Sequence, residues 1–100
     1  MKPSIAVDRN RAAIHEAVAR FRAINPRVFG STLSGTDVEG SDLDLLVDPL
    51  PTTTLFDLGG LQIELEELLG IRVDVLTPAD LPSRFRAKVI SEARPLLETP

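Results

Sequence analysis

The chain has no cysteine, no tryptophan and no tyrosine, and it has one histidine. The absence of cysteine removes disulfides, thiolate metal sites, iron–sulfur clusters and cysteine nucleophiles. His15 cannot build a multi-histidine metal site; it lies beside Glu16 on the polar side of an expected helix and is read as solvated. With no other rings, only the four phenylalanines could stack on a base. No apolar run approaches the ~18 residues a membrane span requires. Met1-Lys2-Pro3-Ser4 lacks the apolar stretch of a signal peptide, so the expected location is the cytoplasm. A net charge of −4 argues against non-specific nucleic-acid binding, which needs a basic surface.

One further absence is local. Residues 28–71 contain nine Asp and Glu and not one Lys or Arg. The flanking segments hold all eleven basic residues. An acidic stretch without cations either scatters its carboxylates into water or gathers some of them around an ion. The length of 100 residues suits a single domain, expected to span residues 1–100.

Hydrophobic periodicity supplies the elements. Ile14, Ala17, Val18, Phe21 and Ile24 recur at helical spacing, which predicts a helix over Asp8 to Ile24 with Asp8 as its cap. Arg27-Val28-Phe29 reads as a short strand entering Gly30-Ser31, followed by one helical turn and a polar loop. Asp42 to Val47 alternates and reads as a second strand. Thr54 and Asp57 form a capping-box pattern ahead of a helix over Leu55 to Leu69, stopped by Gly70. The Gly59-Gly60 pair weakens that helix by up to ~2 kcal/mol relative to alanines. Ile71 to Leu76 is a third strand, and Ser83 to Glu92 a last helix with Phe85, Val89 and Ile90 facing inward.

Strand 42–47 carries the candidate chemistry. Leu43, Leu45 and Val47 share one face; Asp42 and Asp44 share the other. At ~3.3 Å per residue the two Cα atoms lie about 6.6 Å apart. Two ionised carboxylates at that separation repel by about 2.5 kcal/mol at an effective dielectric of 20. Exposure, protonation of one group, or a bound hard cation such as magnesium or manganese would relieve this. Asp48 lies on the same face but about 13 Å from Asp44, too far to share an ion. Asp74, in the middle of the next strand between Val73 and Val75, is the best third ligand. Each acid taken alone also fits plain exposure on a sheet surface, or, for Asp74, pairing with Arg72. Gly30-Ser31, opening a turn after a strand, fits a phosphate cradle as well as an ordinary turn.

Taken together, Val28-Phe29-Gly30-Ser31, a ten-residue gap, and Ser41-Asp42-Leu43-Asp44-Leu45-Leu46-Val47 resemble the signature of the DNA polymerase beta-like nucleotidyltransferases. The small size is similar to the minimal nucleotidyltransferases of prokaryotes. Leu65 to Gly70 and Val73-Asp74-Val75-Leu76-Thr77 look like the later part of the same family, so the likeness covers roughly residues 27–90. It implies an α+β fold, a small mixed sheet flanked by helices. It also implies transfer of AMP from ATP with Mg2+ or Mn2+. Asp42, Asp44 and Asp74 would serve as catalytic and metal-holding residues, and Gly30 and Ser31 as phosphate-binding residues. Members of this kind pair with a HEPN-domain toxin as its antitoxin.

One departure bears on activity. Relatives often carry arginines just after the Gly-Ser, where this chain has Thr32, Leu33 and Ser34. A triphosphate needs positive charge, which leaves Arg27, Arg72, the group Arg84, Arg86 and Lys88, or a partner to supply it. The alternative is therefore a binding module that neutralises a partner by covering it. Action on a small molecule ranks below both.

Overall fold

The computed structural model describes residues 1–97. Pro3 opens helix α1, Pro3–Arg9, at a position where its missing N–H costs nothing. Asn10 then interrupts the helical path. Its φ of −132° leaves the helix, its N–H donates to the Val7 carbonyl, and its side-chain amide donates to the Ala6 carbonyl at 2.8 Å. A side chain that bonds the backbone in this way competes with helix continuation. Helix α2, Arg11–Arg20, follows. The single helix expected from Asp8 to Ile24 is thus two helices, and Asp8 lies inside the first instead of capping the second.

Strand β1, Ala23–Phe29, begins four residues before the expected Arg27. Ile24, assigned to the helix by spacing, stands on this strand and is half exposed. The periodic reading fails there because Arg22 and Asn25 adopt positive φ, 65° and 55°, and turn the chain. Asn25 and Pro26 sit where the β1 register slips, between Ile24 opposite Asp48 and Arg27 opposite Leu46, as at a bulge.

Helix α3, Ser31–Ser34, is one turn long. Strand β2, Leu43–Pro49, helix α4, Leu55–Leu69, and strand β3, Val73–Leu76, complete a crossover in which β2 and β3 run parallel. The Thr54–Asp57 capping box forms, and Gly70 closes α4 at φ 69°. A 3-10 turn, Pro78–Asp80, leads to α5, Ser83–Glu92, and to the short β4, Arg94–Pro95. The sheet order is β3-β2-β1-β4, with both β1 pairings antiparallel. This is the mixed α+β architecture expected from the sequence.

The two faces of the sheet differ. Leu43, Leu45, Val47 and Val73 bury themselves against Ile14 and Val18 of α2 and Leu61 and Leu65 of α4. Full burial of side chains of this size is worth roughly 1.5–3 kcal/mol each. The opposite face carries Phe29, Asp44 and Asp74, which stand directly across from one another on β1, β2 and β3. The outer edge of β3 is closed from α4: Glu66 accepts from the Val73 N–H at 3.1 Å and Gln62 from the Val75 N–H at 3.3 Å.

Two expectations fail at the C-terminal end. Helix α5 buries no residue: of the three side chains expected to face inward, Phe85 and Ile90 are exposed and Val89 is half-buried. It is tied down by Arg86, whose guanidinium donates to the carbonyls of Pro78 at 2.7 Å and Leu81 at 3.0 Å. His15 is half-buried rather than solvated; its Nε2 bonds the Leu96 carbonyl and fixes the chain after β4.

Candidate active site

Gly30 is the hinge of the site. The chain leaves β1 through φ 71°, ψ −144°, a region open essentially to glycine alone. A β-carbon at this position would lie 2.3 Å from Oδ2 of Asp44. The missing side chain is what lets the β2 carboxylate come up against the backbone of the turn. Ser31 begins α3, and the Gly30 and Ser31 carbonyls accept from the N–H groups of Ser34 at 3.1 Å and Thr36 at 3.0 Å. The first-turn N–H groups of a helix have no partner within it and favour an anion.

Asp44 and Asp74 are exact cross-strand neighbours in the parallel β2–β3 pairing. Asp44 is half-buried and its carboxyl is pushed up, first by burial, then by the charge of Asp74, then by that of Asp42. Asp42 and Asp74 are thus both near enough for their charge to bear on Asp44. Among the described residues, however, no group of three acidic or histidine side chains stands ready as a cage for one ion. The three are neighbours and not a preformed three-ligand cluster.

Asp42 lies 3.7 Å from Nε of Arg72, and Arg72 is largely exposed. Asp48 is taken elsewhere, accepting from Arg27 at 2.6 Å and from Asn25 at 3.0 Å. That pair removes Arg27 from the cations available to a nucleotide, and Arg86 is spent on the 3-10 turn. Arg84 lies over the Phe85 ring at 4.9 Å. Of the basic residues weighed from the sequence, Arg72 is the one paired with a site acid.

Sequence reasoning overlooked two features of this region. A cavity of about 360 Å³ adjoins Gly30, lined by Phe29, Leu33 and Ser34 on one side and Val89 and Glu92 of α5 on the other. Pattern alone gave no sign that α5 meets the Gly30 turn. Larger cavities of about 460 and 490 Å³ lie around Leu96 and include none of Asp42, Asp44 and Asp74. The second overlooked feature is Asp37, a loop acid that is buried and accepts from the Ser4 N–H at 2.8 Å. That bond lowers its carboxyl pKa, against the opposing effect of burial. It ties the loop between α3 and β2 to the start of α1.

Hard oxygen donors, repelling one another around a half-buried carboxylate, fit a divalent magnesium or manganese ion in chemical type. A glycine-only turn beside that carboxylate, opening a helix, fits a phosphate chain. The mixed sheet and its helices have the fold of a nucleotidyltransferase. Residues 14–97 match the family model of the nucleotidyltransferase domain, and the chain belongs to that family of enzymes. It is 38% identical over 73 residues to the protein adenylyltransferase MntA of Thermococcus cleftensis, covering 73% of this chain and 74% of the relative. A solved chain assigned as a minimal nucleotidyltransferase superposes with a TM-score of 0.83 at 42% identity, covering 93% of this chain and 95% of that one. A toxin–antitoxin structure with AMP-PNP shares the fold at a TM-score of 0.73 and 21% identity, over 88% of this chain and 73% of that one.

Proposed function

We propose that the chain transfers AMP from ATP to a hydroxyl group of a partner protein, as the antitoxin of a HEPN-domain toxin in the cytoplasm. The observation that carries this reading is the close approach of the Asp44 carboxylate to the Gly30 turn, possible only because residue 30 has no side chain. The adenylyltransferase relatives support the nucleotide and the protein acceptor, and the toxin–antitoxin neighbours support the kind of partner.

In this reading the amides of Gly30 and Ser31, with the Ser31 hydroxyl, hold the β- and γ-phosphates. Asp42 and Asp44 would hold the divalent cation, with Asp74 on its acceptor side. The cation, when bound, supplies the positive charge that offsets the triphosphate and the leaving group. Asp74 takes the proton of the acceptor hydroxyl as its oxygen bonds to the α-phosphorus. The bond to the β-phosphate breaks, and pyrophosphate leaves. Arg72, exposed beside Asp42, would be the cation to offer a phosphate oxygen. The chain has no tyrosine, so a tyrosine acceptor belongs to the partner.

The binding-module reading has its own support in the uncharged Thr32, Leu33 and Ser34 and in the engagement of Arg27 and Arg86. Transfer of labelled AMP to the co-expressed partner separates the two. The enzyme reading expects label on the partner with wild type and background label with Asp42→Asn/Asp44→Asn. Undiminished label with the double variant overturns the assignment of these acids. Neutralisation of the toxin by both forms, without label, establishes the binding module.

A further inference from the structure

The three site acids are not held alike. Asp44 is half-buried against the Gly30 turn, and Asp42 lies 3.7 Å from Nε of Arg72. Asp74 is exposed, on the outermost strand of the sheet. An exposed side chain takes its direction from the backbone beneath it, and β3 is four residues long with a single neighbouring strand. In a strand, successive N–H groups point to opposite edges. Those of Val73 and Val75, flanking Asp74, are received by α4, through Glu66 at 3.1 Å and Gln62 at 3.3 Å.

The spacings of helix and strand match. Gln62 and Glu66 are one helical turn apart, so they share a face of α4 and are separated by about 6 Å along its axis. Val73 and Val75 are separated by about 6.6 Å along the strand. The order is reversed, Glu66 to Val73 and Gln62 to Val75, because the helix runs against the strand. Both side chains are half-buried, whereas Ile63 and Glu67, the next residues along, are exposed. The pair thus serves β3 as a second neighbouring strand would, and Asp74 lies midway between the two bonds. We infer that Glu66 and Gln62 are positioning residues for Asp74, fixing the β3 backbone so that the carboxylate stays opposite Asp44 in the β2–β3 register. They act through the backbone and touch no reacting atom. The inference rests on the proposed transfer reaction, in which Asp74 takes the acceptor proton.

The experiment follows labelled AMP transfer to the co-expressed partner and amide hydrogen exchange for wild type, Glu66→Ala, Gln62→Ala and Glu66→Gln. All measurements are made at a temperature where every chain is folded by circular dichroism. Glu66→Ala is expected to lose protection at the Val73 amide, and Gln62→Ala at the Val75 amide. Each is expected to lower kcat by about tenfold or more. KM for ATP is expected to stay unchanged, because the Gly30 turn follows β1, on the other side of β2. Glu66→Gln keeps an acceptor oxygen for the Val73 N–H and is expected to keep both protection and kcat. Unchanged kcat in a Glu66→Ala chain that has lost protection at Val73 overturns the positioning role and leaves the transfer reading standing. So does a loss in Glu66→Gln equal to that in Glu66→Ala, which assigns the effect to charge. A raised KM with unchanged kcat assigns the two residues to nucleotide binding and likewise overturns the role. No transfer by wild type overturns the reaction itself, and the role with it.

Discussion

Oδ2 of Asp44 occupies the space that a side chain at residue 30 would need, 2.3 Å from the position of its β-carbon. Turn and acid are therefore a single unit: the sequence can have Asp44 in this place only while residue 30 is glycine. Gly30→Ala is expected to destabilise the fold by about 1–3 kcal/mol, from positive φ and displacement of Asp44. It is also expected to abolish AMP transfer. Far-UV circular dichroism is the measurement for stability, because the chain has no tryptophan or tyrosine. Retained transfer in a folded Gly30→Ala chain would separate the turn from the chemistry.

Asp44→Asn should have opposite effects on stability and function. The Asp44 carboxyl is raised by burial and by its acidic neighbours, so its ionised form costs stability at neutral pH. Because that cost applies above the folded-state pKa and disappears as pH falls through it, the neutral amide should raise the melting temperature at pH 7 more than at pH 4. Transfer should drop to background. A lower melting temperature at pH 7 would contradict the repulsion between these acids.

Asp37 gives the reverse pH dependence. Its carboxyl lies below the ordinary value because the Ser4 N–H donates to the ionised form. The contribution is complete above about pH 4, the ordinary range of a free Asp, and is lost as pH falls further through the folded-state value. Asp37→Asn keeps an acceptor oxygen without the charge and should flatten the loss of stability in acid. Asp37→Ala should lower the melting temperature at pH 7 as well. Acid melting curves of the three chains make the comparison.

Gly60→Ala tests the packing of α2 on α4. Helix propensity alone favours alanine, but the Phe21 ring lies where the methyl group would go. The expected net effect is destabilisation by about 1–3 kcal/mol through overpacking. It is read as a shift in urea midpoint with unchanged slope. A gain in stability would show that the ring moves aside freely.

Leu45 sits fully buried on the core face of β2, back to back with the acidic row. Leu45→Ala should cost about 2–5 kcal/mol. Hydrogen exchange should then show greater opening at β2 and at the Asp44 backbone, since one strand serves both core and site.

Much of this arrangement is legible in the residues themselves. The alternation of Leu43, Asp44 and Leu45 fixes which side of β2 is core and which is chemistry, and the Thr54–Asp57 box and Gly70 mark both ends of α4. What escaped are features set by contacts distant in sequence or by single backbone angles. Asn10 breaks the first helix through its own side chain. Asn25 at positive φ lets β1 start early. Helix α5 carries apolar residues at helical spacing that face outward, because Arg86 holds it through carbonyls instead of through a buried stripe. The burial of Asp37 depends on Ser4, a partner 33 residues away.

The amides of Val73 and Val75 are already occupied by Glu66 and Gln62. The strand bearing Asp74 thus has these two amides closed to a visiting strand, which guards a short edge against runaway stacking. A visitor must recognise this molecule through side chains, and an extended peptide will find no vacant ladder beside the acids.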